Sequence, residues 1–125
     1  MENKKILIIE DEKPLRSALH DKLSREGFSV ILEAQNGKDG LEIALREHPD
    51  MILLDIVMPV MDGMTMLREL RKDAWGKDVK VIILTNLSDN EKVGEAVSGG
   101  AYDYLVKTDW RLEDVISKIR ERLGK

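Results

Sequence analysis

Asp55 is the residue whose type and position most clearly suggest chemistry. It follows a short apolar run, residues 51–54, and the chain then reaches a Met58-Pro59 turn. Such a run predicts a strand that is buried on both faces and ends at the acid. A single acid in this place is typical of a turn or a helix cap. Its function therefore depends on which other side chains reach the same edge of the sheet.

Other predicted strands also end in residues that can take part in chemistry. The first ends in three acids, the fourth in a hydroxyl and the fifth in an amine: Glu10, Asp11, Glu12, Thr85 and Lys107. The carboxyl ends of parallel strands share one edge, where open α/β sheets bind ligands, so these residues are expected to meet Asp55. Clustered carboxylates without histidine or thiolate favour a hard cation. The sequence thus predicts a site for Mg²⁺ (or Mn²⁺).

The chemistry expected of this edge is phosphoryl transfer to a carboxylate. Asp11 and Asp55 are the predicted direct metal ligands, together with a backbone carbonyl assigned to Val57. A carboxylate whose charge is offset by the cation can attack phosphorus and form an acyl phosphate. Lys107 would supply a positive charge and Thr85 a hydroxyl donor to the oxygens of the transferring group. Asp55 is therefore predicted to be the nucleophile.

Two alternating patterns predict the elements that position these residues. Apolar runs predict strands, and apolar residues at helical spacing predict helices between them. The predicted strands are 6–9, 28–33, 51–54, 79–84 and 102–106, and the helices begin near Pro14, Gly37, Gly63, Ser88 and Leu112. The third helix is expected to end around residues 74–76. Strict alternation predicts a doubly wound α/β fold with a five-stranded parallel sheet and five helices.

Length and composition restrict the class of protein. A chain of 125 residues is expected to form one domain, residues 1–125, and it contains no cysteine. No signal peptide or membrane span is predicted, so a cytoplasmic protein without membrane contact is expected. The formal charge of −4 and the lack of a basic run argue against direct nucleic-acid binding by this domain.

The strand-end motifs resemble those of receiver domains of two-component response regulators, and the chain is similar to the chemotaxis type throughout. The matching motifs are Ile8-Ile9-Glu10-Asp11, the segment 54–59 followed by Asp62-Gly63, Leu84-Thr85, and Tyr104-Leu105-Val106-Lys107. The resemblance implies a flavodoxin-like fold with strand order 2-1-3-4-5.

The resemblance also implies roles for residues at the strand ends. Asp55 would accept a phosphoryl group from a sensor histidine kinase or a phosphotransfer protein. Asp11 would bind magnesium, with Glu10 beside it, and Thr85 and Lys107 would contact the phosphoryl group. A receiver of this kind catalyses its own phosphorylation and dephosphorylation only, so the chain is not expected to be an enzyme in the ordinary sense.

A switch that passes through Thr85 and Tyr104 is implied as well. Phosphorylation adds roughly two negative charges, so Thr85 is expected to be drawn toward them, and Tyr104 to move inward. The face formed by the fourth helix, fifth strand and fifth helix would then change for a downstream protein or effector domain. The chain would be a monomer or a phosphorylation-promoted homodimer.

Three alternatives are weaker. An aspartyl-phosphate phosphotransferase or phosphatase would need a second acid two residues after Asp55, where the chain has Val57. A flavin-binding flavodoxin would need a phosphate loop, whereas the acids 10–12 would repel phosphate. The complete set of acids, hydroxyl and amine argues against a receiver-like scaffold that has lost phosphorylation.

The chain departs from the family pattern at two positions beside the predicted phosphoryl site. Asn86 follows Thr85, where the family usually has a small residue, and Thr108 follows Lys107, where it usually has proline. A cis bond before a residue other than proline costs about 3 to 4 kcal/mol. The loop after Lys107 is therefore expected to be trans or rearranged.

Slow loss of the phosphoryl group is expected, because Val57 and Leu87 are apolar and cannot orient a hydrolytic water. Introducing polar groups by Val57→Asn together with Leu87→Glu should accelerate phosphate release from phosphorylated protein, followed by mass spectrometry over time. A rate that is unchanged or slower would contradict this explanation.

Overall fold

The computed structural model describes residues 2–56, 58, 60–85, 103–106 and 111–123, and for residues 2, 3, 85 and 103–106 it describes the backbone only. Within this part of the chain the elements are β1 (Glu2–Ile9), α1 (Lys13–Arg25), β2 (Phe28–Ala34), α2 (Gly37–Glu47), β3 (Met51–Asp55), α3 (Gly63–Arg71), β4 (Lys80–Thr85), β5 (Asp103–Val106) and α4 (Leu112–Arg122). The helix predicted to begin at Ser88 lies outside the described residues.

The strands form one parallel sheet in the order β2-β1-β3-β4-β5, which confirms the predicted topology. β3 lies in the centre and pairs with β1 and β4. β1 begins four residues earlier than predicted, because backbone pairing with β2 continues back to Glu2 opposite Phe28, beyond the apolar run. Parallel pairing brings the carboxyl ends of all five strands to one edge.

Helices cover both faces of the sheet, which explains why the strands are apolar throughout. The residues of β3 alternate between two clusters: Ile52 and Leu54 pack on the side of α2 and α3, whereas Leu53 packs on the side of α1 and α4. All five residues of β3 are buried. A strand enclosed on both faces has little freedom to shift, so its last residue, Asp55, is held firmly at the edge.

The connection around α3 differs from the prediction at its end. The helix ends at Arg71 rather than at 74–76. The carboxylate of Asp73 accepts hydrogen bonds from the backbone N–H groups of Trp75 and Gly76, both at 2.9 Å. Arg71 donates to the carbonyl of Gly76 at 2.7 Å. These local bonds turn the chain, because an Asp side chain competes with the helix for backbone N–H groups.

The stability of the sheet is expected to depend on the central strand more than on any exposed apolar residue. Leu53→Ala removes a fully buried side chain, so we expect it to lower the free energy of unfolding by about 2 to 5 kcal/mol. Leu45→Ala, on the outer side of α2, is the matched control and should change it by no more than about 0.5 kcal/mol. Urea denaturation measures both values, and equal losses would contradict the assignment of Leu53 to the core.

Candidate functional site

Three carboxylates from two neighbouring strand ends meet at the edge of the sheet. Glu10 and Asp11 follow β1, Asp55 ends β3, and one oxygen atom from each lies within 4.8 Å of the others. Glu10 is fully buried and Asp55 is 4% exposed, whereas Asp11 faces solvent. Three oxygen donors with one open side suit a hard divalent cation that keeps water ligands. The residues present therefore fit the predicted metal site.

The pairing of β1 with β3 brings these acids together. Ile9 lies opposite Leu54 in the parallel register, so the residue after each, Glu10 and Asp55, lies at the same level of the sheet edge. On the other side Glu10 remains attached to β2, because its N–H donates to the carbonyl of Ala34 at 3.0 Å. The backbone of Glu10 is thus held between β2 and β3.

The side chain of Glu10 and its carbonyl are also fixed. The Glu12 N–H donates to Oε2 of Glu10 at 3.1 Å. Arg16, in the first turns of α1, donates to the carbonyl oxygen of Glu10 at 2.7 Å and to the Glu33 carboxylate at 3.0 Å. Nδ1 of His20 lies against the other oxygen of Glu33. This network of Arg16, Glu33 and His20 places a positive charge beside the acids and anchors the peptide that carries them.

Gly63 sets the position of Asp55 from the other side. Its N–H donates to the carbonyl of Ile56 at 2.8 Å, and a Cβ built on it would lie 2.2 Å from the carbonyl oxygen of Asp55. Only glycine allows this approach between the start of α3 and the end of β3. Asp62 is the N-cap of the same helix and accepts from the Thr65 N–H at 2.8 Å.

A second glycine connects the loop after β3 to α2. The Gly37 N–H donates to the carbonyl of Met61 at 2.9 Å, and a Cβ at Gly37 would lie 2.2 Å from that oxygen. The segment between Ile56 and Gly63 is therefore attached at both ends to regular elements.

Thr85 and Tyr104 are predicted residues for which the structure describes the backbone. Thr85 ends β4, one residue after the Leu84 that pairs with Asp55, and it lies opposite Val106 in β5. The backbone register thus brings Thr85 to within one residue of the level of Asp55 at the sheet edge. Tyr104 lies within β5, but its side chain and that of Thr85 are outside the description. The roles predicted for both therefore stay predictions.

The other predicted positions fall outside the described residues, so the structure does not test them. They are Val57, Asn86, Leu87, Lys107 and Thr108.

Sequence reasoning did not identify the supporting residues of the site. Arg16 and Glu33 are 17 positions apart and belong to different elements, so no local pattern signals their contact. Gly63 was part of the Asp62-Gly63 motif, and that motif was a usable signal, although the close contact with the Asp55 carbonyl could not be read from it.

Two carboxyl groups with lowered pKa values lie away from the site. A hydrogen bond from Arg46 is the main cause that lowers the pKa of Glu47 below its ordinary value of 4.5. Glu113 has a lowered pKa chiefly because a backbone N–H at the start of α4 donates to it, with Lys22 adding attraction. Both favour folding above pH 4.5 and lose this effect as the pH falls. Neither contributes to the chemistry at the sheet edge.

The close contact of Gly63 with Asp55 can be tested by adding a methyl group. Gly63→Ala should push β3 and α3 apart, lower the free energy of unfolding by roughly 1 to 3 kcal/mol and weaken divalent-cation binding. Gly76→Ala is a matched control, since its Cβ would lie 2.3 Å from the Leu70 carbonyl, far from the acids along the chain. We expect it to destabilise the fold while a calorimetric titration shows unchanged cation affinity. Equal cation affinities in the two variants would contradict this role of Gly63.

Comparison with known proteins agrees with this geometry. The family model described as "Response regulator receiver domain" matches residues 6–120. A probable transcriptional regulator ycf27 of Porphyridium aerugineum is 41% identical over 130 aligned positions, covering 100% of this chain and 51% of that protein. Response regulator MprA of Mycobacterium leprae is 38% identical over 122 positions, covering 95% of this chain and 50% of that protein. The chain thus spans about half the length of these relatives.

A solved structure with the same fold contains a magnesium ion. It is the receiver domain of sensor histidine kinase PA1611 from Pseudomonas aeruginosa, crystallised with a magnesium ion coordinated in its active site cleft. It superimposes with a TM-score of 0.88 at 25% identity over 99% of this chain and 100% of that one. With its family match over most of the sequence, its parallel sheet and its three clustered acids, the chain belongs to the receiver domain family of the response regulators.

Proposed function

We propose that the chain is a phosphoacceptor switch in which Asp55 accepts a phosphoryl group from the phosphohistidine of a sensor kinase or phosphotransfer protein. One observation carries this proposal: an almost buried carboxylate at the end of the central strand shares a small space with two further acids. Three carboxylates so close together destabilise the folded protein, because their negative charges repel one another. This arrangement is useful where a cation and a phosphoryl group are to be held.

Magnesium would be held by Asp11, Asp55 and the backbone carbonyl of Val57, with Glu10 beside it. When bound, it would offset the negative charge of the acids and of the incoming phosphoryl group. A carboxylate oxygen of Asp55 forms the new bond to phosphorus, while the bond between phosphorus and the donor nitrogen breaks. The donor nitrogen keeps that electron pair and takes up a proton. Lys107 and Thr85 are assigned to the oxygens of the transferred group.

The new charge at Asp55 would be communicated along β4 and β5. Thr85 is one residue beyond the backbone partner of Asp55, which supports its role as the first residue to respond. Tyr104 would follow, and the face formed by the segment 88–97, β5 and α4 would change for its partner. A ligand or modification shifts such an equilibrium only through its different interaction with the two states.

The remaining parts of the proposal concern partners and place of action. The chain would turn over no free substrate and would act on a downstream protein or an effector domain. The two relatives described above are about twice as long, which leaves room in them for such a domain, and any DNA contact would come from there. No helix in the described part of the chain is long and apolar enough to cross a membrane, and we propose action in the cytoplasm.

The central experiment is the transfer of one phosphoryl group to Asp55. The protein is incubated with Mg²⁺ and a small acyl phosphate, and its intact mass is recorded. We expect the unaltered protein to gain the mass of one phosphoryl group, Asp55→Asn to gain none, and the control Asp21→Asn, at an exposed position of α1, to gain it normally. Absence of the gain in the unaltered protein, or equal gain in Asp55→Asn, would refute the proposal.

Metal dependence provides a second test. At a Mg²⁺ concentration 100 times its Kd, the ion should stabilise the unaltered protein by about 2.7 kcal/mol. Asp11→Asn should lose most of this gain but be more stable than the parent in a chelator, because one of three clustered negative charges is removed. Thermal unfolding with Mg²⁺ or EDTA measures both effects. A similar Mg²⁺ response in Asp11→Asn would show that Asp11 is not a ligand.

A further inference from the structure

A surface cavity of about 480 Å³ lies at the amino-terminal edge of the sheet, away from the acids. The strand register accounts for this cavity. β1 begins at Glu2, but its first residue paired with β3 is Ile6, opposite Met51. The start of the central strand is therefore set back behind β1, and Asp50, just before that strand, lines the cavity. Sites for small molecules typically have volumes of about 300 to 1,000 Å³.

The cavity is separate from the site of the acids. Asp50 precedes β3 and Asp55 ends it, and five residues of extended chain span about 16 Å. None of the residues that line the cavity is one of the three clustered acids. A ligand bound at this edge would therefore not contact the phosphoryl site.

One wall of the cavity is apolar and contains an aromatic ring of fixed orientation. Trp75 and Val79 line it from the connection between α3 and β4, and Leu123 lines it just beyond the end of α4. The ring of His48 stacks on Trp75 with the centroids 4.3 Å apart and the planes within 12°. The backbone N–H of Trp75 donates to Asp73 at 2.9 Å. A flat apolar group can stack favourably on an indole that is held in this way.

The polar part of the lining contains two amines without a partner. Lys4 and Lys80 line the cavity, and neither ammonium group has a hydrogen bond or ion pair within the described part of the chain. Lys5 differs, because its Nζ donates to a backbone carbonyl at 2.9 Å. The two acids of the lining already have interactions: Asp50 accepts from the Lys5 backbone N–H at 2.8 Å, and Asp78 has a contact of its own. The unmatched charge in the cavity is therefore positive.

We propose that this cavity binds a small organic anion that carries a flat apolar ring. Lys4 lies in β1 and Lys80 begins β4, the two strands that flank β3, so an acidic group held over the start of β3 can meet both amines. Its ring would lie along the wall that contains Trp75. The two positive charges attract an anion and repel a cation of the same shape. This inference does not rest on the proposed function, because it involves none of the clustered acids.

Three small probes separate the contributions of charge and ring. Indole-3-acetate has both a carboxylate and a ring, acetate lacks the ring, and tryptamine has the ring with a positive charge. Calorimetric titration measures the affinity, and amide chemical shifts of isotope-labelled protein locate the site. We expect indole-3-acetate to bind saturably, with shifts centred on residues 74–80 and on Asp50. Acetate and tryptamine should bind at least about tenfold more weakly.

Lysine variants test which side chains hold the carboxylate. Lys4→Gln and Lys80→Gln should each weaken the binding of indole-3-acetate about tenfold, because each removes one charge-assisted contact. Lys38→Gln is the matched control, since Lys38 is an exposed lysine in the first turn of α2 that does not line the cavity. Its affinity should equal that of the unaltered chain. Asp55→Asn should also bind indole-3-acetate normally, because the two sites lie at opposite edges of the sheet.

Several results would overturn the inference. They are the absence of saturable binding of indole-3-acetate up to about 10 mM, equal binding of tryptamine, an equal loss in Lys38→Gln, and shifts centred on the carboxyl ends of the strands. Loss of binding in Asp55→Asn would contradict the separation of the two sites. A blocked acidic peptide containing tryptophan that binds more tightly than indole-3-acetate would replace the small anion by a protein partner. Failure of phosphoryl transfer to Asp55 would leave this inference unaffected.

Discussion

Repulsion among the carboxylates of Glu10, Asp11 and Asp55 is the constraint that the rest of the structure has to satisfy. Their oxygen atoms lie within 4.8 Å of one another. Two like charges about 5 Å apart repel by about 3 kcal/mol at an effective dielectric constant of 20. Backbone hydrogen bonds oppose this repulsion, because β1 pairs with both β2 and β3. The buried residues of β3 also prevent that strand from moving away. The sheet is thus the frame that keeps the three acids together.

Several of the supports around the acids act on backbone atoms. Arg16 donates to the Glu10 carbonyl, Gly63 to the Ile56 carbonyl and Gly37 to the Met61 carbonyl. Fixing peptides in this way positions the side chains that follow from them while Asp11 remains open to solvent. Arg16 is itself oriented by Glu33. A chain of contacts from β2 through α1 therefore reaches the site without occupying it.

The parts of this structure that follow from local pattern were predictable, and those that depend on distant contacts were not. Apolar runs and helical spacing predicted the alternating strands and helices of a parallel sheet, the family resemblance implied the strand order, and the strand ends predicted the meeting of Glu10, Asp11 and Asp55. The end of α3 was predicted too late, because hydrogen bonds of Asp73 compete with the helix. The network of Arg16, Glu33 and His20 joins residues from two elements, and no spacing rule connects them. Glycine contacts such as that of Gly63 require the loop path to be known first.

The loop after β3 shows how the same backbone requirement can have different causes. At Gly37 and Gly63 a main-chain atom lies where a Cβ would be, so the fold itself dictates glycine. At Val60 the φ angle also favours glycine, but no neighbouring atom excludes a side chain, and valine extends into solvent. Hydrogen bonds of Gly37 with Met61 and of Gly63 with Ile56 hold the chain on either side of Val60, so the backbone imposes this φ angle on a residue whose side chain it leaves exposed.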